Sequence, residues 1–349
     1  RTAALCSLRV CLSLNGAHDP MKSAANRAGW AFLVSLFALA ACTTTAVKDG
    51  APTELALNAE RVAELRGPDL IANYYPAESD GPGPAILLLG GSEGGLSPLV
   101  AEEAFKLRGA GYSVLQLSYY RSPGQEENLE MVPLEVFDRG LNWLSARPEV
   151  DAEKLGIMGT SKGAEAALIT AERHPQAFAA VVAVVPSNVS WQGINWAFDG
   201  RPAEASWSLN GEAYPYLPYG AWEAEKGLYS LYDNGLNAVS EHEDALIEIE
   251  LVEAPVLLIC GGADTLWPSC PMSEALAARS IRLNGPEVEV LVYPEAGHGS
   301  GGAPSDEYEP SMADEASTYG GTKGTNQAAR EDGWPKTLAF FEAALKSAR

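Results

Sequence analysis

Only four histidines occur in 349 residues, so chemistry that needs an imidazole has few places to find one. Cations are few as well: 24 Lys and Arg stand against 46 Asp and Glu, a net charge of −22, with no basic block anywhere. A nucleic acid gains affinity by releasing counterions at Lys and Arg contacts, so this balance argues against nucleic-acid binding. An anionic membrane surface is an equally poor partner for the folded body. No apolar run reaches the ~18 residues of a spanning helix; the longest, Gly29–Ala41, falls short of it. Internal repeats are absent. What remains is ordinary globular composition, 46% hydrophobic with Gly 34 and Pro 23, which rules out a coiled coil, a collagen-like chain and a disordered polymer.

The first fifty residues concern address. Met21 is the expected start, leaving 1–20 as upstream translation that is not native. From it run a short basic stretch (Lys22, Arg27) and the apolar run to Ala41, the pattern of a secretory signal over 21–41. Leu39-Ala40-Ala41-Cys42 resembles a bacterial lipobox, which implies cleavage before Cys42 and lipidation of its thiol. Thr43 stands where aspartate would favour inner-membrane retention, so the expected address is the periplasmic face of the outer membrane. Residues 42–57 then read as a tether, and the N-terminal lipid is the only membrane contact expected. Of five cysteines, Cys260 and Cys270 remain in the body; ten residues apart, they either close a disulfide or stay as separate buried thiols.

From about Glu60 short aliphatic runs alternate with helical stretches, the signature of a mostly parallel sheet covered on both faces. Strands are expected at Ala85–Leu89, Tyr112–Leu117, Leu155–Met158, Ala180–Val185, Pro255–Ile259 and Val288–Tyr293. Helices are expected at Pro98–Arg108, Leu134–Leu144, Lys162–Arg173 and Trp334–Leu345. One α/β domain over 58–349 accounts for all of them. Residues 187–250 break the rhythm with ten of the chain's 29 aromatics. They leave the sheet and return, either as a cap with aromatic walls or as a self-packed excursion. Trp191, Trp196 and, beyond the segment, Trp267 are the expected substrate contacts.

Gly159-Thr160-Ser161-Lys162-Gly163 matches G-x-S-x-G between an expected strand and helix. That context lifts a serine oxygen clear of a sheet on a tight turn, where flanking side chains would collide with neighbouring elements. Such a nucleophile needs a base. His18 lies upstream of the expected start, His174 precedes Pro175 as a helix C-cap, and His242 stands among acids. His298, in a glycine-flanked loop past the last strand, is the candidate base. Asp264, separated by four residues from the end of the strand Pro255–Ile259 and set in a glycine turn, is the candidate acid behind the imidazole. The order Ser…Asp…His is that of α/β-hydrolases. The backbone N–H of Lys162 and that of Ser92, with Glu93 as fallback, are the expected oxyanion donors. The Gly90–Gly95 loop carries no Gly-Lys-Ser/Thr, so a phosphate cradle is not expected there.

GTSKGAEAAL at 159–168, VPLEVFDRGLNWL at 132–144, VPSNVSWQGI at 185–194, GGADTLWPS at 261–269 and AGH at 296–298 resemble one branch of the α/β-hydrolases. GGT at 320–322 and AREDGWPKTLAFF at 329–341 extend the likeness. The branch is the C-terminal domain shared by acyl-CoA thioesterases and bile acid-CoA:amino acid N-acyltransferase. The resemblance implies the triad Ser161, Asp264 and His298, and acyl transfer with no metal or organic cofactor. The expected substrate is a small acyl thioester, with apolar esters or transfer to an amino acid as alternatives. A non-catalytic binding lipoprotein is the rival from another class. Oligomeric state is not legible. Three cations lie near the motifs, Lys162, Arg121 and Lys106; Lys162 either touches a phosphate or pairs with Glu165.

Overall fold

In the computed structural model, which describes residues 55–78 and 81–346, eight strands build one sheet. They are Ala63–Arg66 (β1), Ile71–Tyr75 (β2), Gly83–Leu89 (β3), Ser113–Ser118 (β4), Val150–Thr160 (β5), Ala180–Val184 (β6), Val256–Gly261 (β7) and Val288–Tyr293 (β8). Their spatial order is β1-β2-β4-β3-β5-β6-β7-β8. Both pairs made by β2 are antiparallel and every other pair is parallel. This is the α/β-hydrolase arrangement. β1 and β2 were not among the expected strands; they add an antiparallel edge to the parallel core.

The central strands are apolar on both faces because both are covered. Leu87 and Leu89, with Leu115, Leu117 and Ile157, pack under helices Glu135–Ser145 (α2) and Lys162–Arg173 (α3). Ile86 and Leu88, with Val114, Met158 and Val182, face helices Pro98–Gly109 (α1) and Lys323–Leu345 (α6). Alternate residues of one strand thus belong to two cores, and each such aliphatic side chain contributes roughly 1.5–3 kcal/mol. Residues 162–172 of α3 are all buried, and its alanines let it lie close to the sheet.

α6 is twice as long as expected. It starts eleven residues before Trp334, where Thr322 and Thr325 form a capping box, and it carries Pro335 in its interior. A proline there forfeits one helical hydrogen bond, which packing of Trp334 and Phe341 offsets. Another helix, Ser269–Leu283, has no counterpart among the expectations. Its first turn holds Cys270, which is disulfide-bonded to Cys260 at the end of β7.

The aromatic segment, residues 187–250, lies between β6 and β7. It has its own small core of Val189, Trp191, Leu217, Tyr232 and Ala245, and that core is shared with Trp267 and Met272 from beyond β7. Trp207–Leu209 pairs with Val132–Pro133 and with Glu212–Ala213 in a separate three-stranded sheet. Helix Leu228–Leu236 follows (numbered α4, with Ser269–Leu283 as α5). Segments 1–20 and 21–41, Cys42 and the tether as far as residue 54 lie outside the described residues. Leu55 packs against the core and Leu57 bridges Ala63. Among the described residues no helix is long and apolar enough to cross a membrane.

Candidate active site

Ser161 sits alone between β5 and α3 with φ 56° and ψ −120°. A non-glycine residue held there costs about 1–3 kcal/mol and persists only when its surroundings insist. The insistence is visible. Ser161 N–H donates to the Val184 carbonyl at 2.9 Å, and its own carbonyl accepts from Ala164 and Glu165 to start the helix. A Cβ at Gly159 would overlap the Gly163 carbonyl, and one at Gly163 would overlap the carbonyls of Gly90 and Leu89. The motif's glycines are thus required by backbone contact on two sides.

His298 Nε2 lies 2.9 Å from Ser161 Oγ, and His298 Nδ1 lies 2.8 Å from Asp264 Oδ2. A carboxylate offers only lone pairs, so Nδ1–H donates and Nε2 is left to accept the serine proton. Asp264 is held by three further donors: Ser269 Oγ at 2.8 Å, Leu266 N at 2.9 Å and Trp267 N at 3.3 Å. The imidazole is flanked by the rings of Trp267 and Tyr319, each edge-on. His174, at the opposite end of α3 from Ser161, pairs instead with Asp138.

The two loops that carry Asp264 and His298 share a backbone clamp. The carbonyl of Tyr319 accepts from Thr265 N–H at 3.2 Å and from His298 N–H at 3.0 Å. Gly320, at φ 95°, passes so close to Ala263 that a side chain there would overlap its carbonyl. Asn326 on α6 holds Gly297 N–H at 2.7 Å. The GGT run at 320–322 therefore lies against both loops, Gly320 on Ala263 and Gly321 on Gly297. Sequence reasoning assigned it no role; its consecutive glycines were the signal.

On the opposite side of Ser161, the loop after β3 is turned by two phenols. Tyr119 OH donates to the carbonyls of Gly90 (2.7 Å) and Gly91 (3.0 Å), and Tyr120 OH to that of Ser92. Burial pushes both phenols well above their ordinary range, so they stay donors. In a planar trans peptide the next N–H points away from the carbonyl, so the amides of Gly91, Ser92 and Glu93 turn from the phenols. Gly91 N–H is taken by Glu93 Oε1 at 3.1 Å. Ser92 and Lys162 both line the cavity beside Ser161.

The Lys162 side chain does not. It is 1% exposed and pairs with Glu165 at 2.8 Å, so the ion-pair alternative is the one realised. Burial pulls the ammonium pKa down against the pull of Glu165. Glu165 also accepts from Trp191 N at 3.0 Å and Trp207 Nε1 at 2.7 Å, which fastens the aromatic segment to α3.

The cavity above Ser161 holds about 730 Å³. Trp196 and Trp267 are in its wall. Trp191 is fully buried behind the wall, where its indole donates to Ser187 and its ring stacks on Tyr219; a segment that builds its own core hides its most central ring. Tyr219, Tyr232, Leu231, Phe198 and Tyr319 are also in the lining. Among the described residues no group of three or more His, Cys, Asp or Glu could hold a metal ion.

Residues 132–347 match the family described as BAAT / Acyl-CoA thioester hydrolase C terminal. Human acyl-coenzyme A thioesterase 6 is 28% identical over 289 residues, covering 80% of this chain and 64% of the relative. Mouse acyl-coenzyme A thioesterase 1 is 26% identical over 305 residues, covering 84% and 67%. The chain thus spans about two thirds of the length of these relatives. An acylaminoacyl peptidase of Pyrococcus horikoshii has the same fold, with TM-score 0.55 at 18% identity over 85% of this chain and 43% of that one. The family match begins in the small strand before α2 and runs through Ser161, Asp264 and His298 into the last helix. This chain belongs to the BAAT / acyl-CoA thioester hydrolase C-terminal family.

Proposed function

We propose that the chain is a serine hydrolase that cleaves acyl thioesters of apolar acids through an acyl-enzyme. The observation that carries the reading is the relay itself: one imidazole within 2.9 Å of Ser161 Oγ and 2.8 Å of Asp264, at the floor of an apolar cavity. His298 Nε2 takes the Ser161 proton as Oγ attacks the acyl carbonyl, and Asp264 stabilises the imidazolium. The amides of Lys162 and Ser92 face the oxyanion. Collapse breaks the C–S bond, and the imidazolium returns its proton to the leaving thiolate. Water, deprotonated by the same nitrogen, then attacks the acyl-enzyme; the acid departs and Ser161 recovers its proton. The preference for thioesters over oxygen esters is supported by the relatives, which are named as acyl-coenzyme A thioesterases.

The test is Ser161→Ala assayed on thioesters and p-nitrophenyl esters of matched acyl length, with and without added amino acids. A loss of roughly 10⁴–10⁶ in kcat on thioesters is expected, with free acid as product. Unchanged turnover, or no labelling of wild-type Ser161 by a fluorophosphonate, ends the proposal; a conjugate in place of free acid makes the chain an acyltransferase.

The address belongs to the same proposal: export, lipidation at Cys42 and an outer-membrane site facing the periplasm. The Cys260–Cys270 disulfide supports it, since such bonds persist in oxidising compartments. Intact-mass measurement of membrane-extracted protein checks it: the expected species begins at Cys42 and carries added acyl mass.

A further inference from the structure

Four cations lie in or near the candidate site, and the structure separates them. Lys162 is buried against Glu165. Arg201, in the cavity wall, is held by both oxygens of Glu130 at 2.7 and 2.8 Å. Lys106, outside the wall, is neutralised by Glu102 and Asp306. Arg121 differs. It is exposed and lines the cavity, and among the described residues no carboxylate lies within 4.0 Å of its guanidinium.

Its position is built. The Arg121 backbone is held at φ 67°, a conformation that non-glycine residues rarely adopt. Arg121 N–H donates to the Glu126 carbonyl at 2.8 Å. Gln125 closes the loop from inside, donating to the Ser118 carbonyl and accepting from Ser118 Oγ and Ser122 N–H. Below it, Gly94 is required: a Cβ there would lie 2.8 Å from the Arg121 Cβ. The guanidinium is thereby laid over the Trp196 ring at 5.2 Å. Trp196 is itself fixed by Asn128, which accepts its backbone N–H, and it meets the exposed ring of Phe198 edge-on. A stacked guanidinium keeps its in-plane N–H fork free for an oxyanion.

Charge in the cavity is therefore polarised. Glu93 stands beside Ser161, its Oε2 and the serine Cβ both within 3.3 Å of where a Gly91 side chain would begin. Arg121 stands at the rim. An anion near the reacting carbonyl is repelled by Glu93, and one further out meets Arg121. We infer that Arg121, stacked on Trp196, is the subsite for an anionic group that the substrate carries away from its scissile carbonyl: a phosphate on the leaving group or a carboxylate on the acid. This rests on the hydrolase reading for the meaning of the scissile carbonyl, and its test is independent of turnover.

Two pairs of thioesters separate the sources. Pentanoyl-pantetheine and pentanoyl-4′-phosphopantetheine differ by a phosphate on the leaving group; pentanoyl- and glutaryl-pantetheine differ by a carboxylate on the acid. Calorimetric titration of the Ser161→Ala protein reads all of them without hydrolysis. In at least one pair the charged member binds roughly three- to tenfold tighter than the neutral one, and the pair that shows it identifies the source. Adding Arg121→Ala brings that ratio to about one, Arg121→Glu inverts it, and raising the salt shrinks it. Ratios near or below one in both pairs, a preference that survives Arg121→Ala, or no binding by any member overturns the subsite. Turnover by the wild-type protein judges the hydrolase reading separately.

Discussion

Glu165, one turn beyond Ser161 on the same helix, accepts the indole N–H of Trp207 at 2.7 Å. One buried carboxylate thus joins the helix that begins at Ser161 to the aromatic segment that walls the cavity, while neutralising Lys162. Removing it leaves an ammonium and an indole N–H without partners. Glu165→Ala is expected to lower unfolding free energy by about 3–5 kcal/mol, read as a shift in urea midpoint. Lys162→Met combined with Glu165→Gln costs less than the two single changes together, because neither charge is then stranded.

Asp264→Asn keeps the shape of the acid but offers an amide where His298 Nδ1–H needs an acceptor. The imidazole then prefers the tautomer that cannot take the Ser161 proton. A fall of about 10³–10⁴ in kcat is expected with little change in KM. Steady-state kinetics on a thioester checks it, with an unaltered far-ultraviolet circular dichroism spectrum as control.

Two acids outside the relay make stability depend on pH. Glu103 accepts from Ala303 N–H at 2.9 Å, and Glu172 accepts from Glu248 N–H and from Tyr214 OH. Burial raises each carboxyl to about 7. Folding therefore binds these protons more tightly than the unfolded chain does. The stabilisation is complete below the unfolded pKa near 4.5 and is lost as pH rises through about 7, on the order of 3 kcal/mol per group. Urea midpoints measured from pH 5 to 8 are expected to fall. Glu103→Gln and Glu172→Gln each flatten that slope, which distinguishes them from the general repulsion of an acidic surface.

The Cys260–Cys270 bond closes a short loop that contains Asp264. Cys270→Ser, or reduction by a thiol, is expected to cost about 2–4 kcal/mol. Thermal melts with and without reductant read the loss. The double change Cys260→Ser with Cys270→Ser abolishes the sensitivity to reductant.

The turn that presents Ser161 was legible because its signal is local: five residues encode it, and Gly159 and Gly163 meet backbone wherever that turn is built. Asp264 and His298 were legible through chain order and through glycines beside each. Tyr119 and Tyr120 were not, since nothing in a tyrosine pair after a strand announces that its hydroxyls will orient carbonyls thirty residues upstream. Trp191 shows the converse limit. An aromatic-rich segment advertises rings, yet which ring faces ligand and which faces core depends on how the segment folds on itself. The first half of α6 was hidden by Pro335, whose local cost a capping box and two large buried rings outweigh.

The carbonyl of Tyr319 has a consequence for how damage spreads. Because one oxygen receives both Thr265 and His298, displacing the strap around Gly320 drags acid and imidazole together and leaves their mutual spacing intact. Injury to that strap would register as a lengthened reach to the serine, so a lesion twenty residues from the imidazole would mimic a defect in nucleophile activation while the carboxylate–imidazole pair stayed whole.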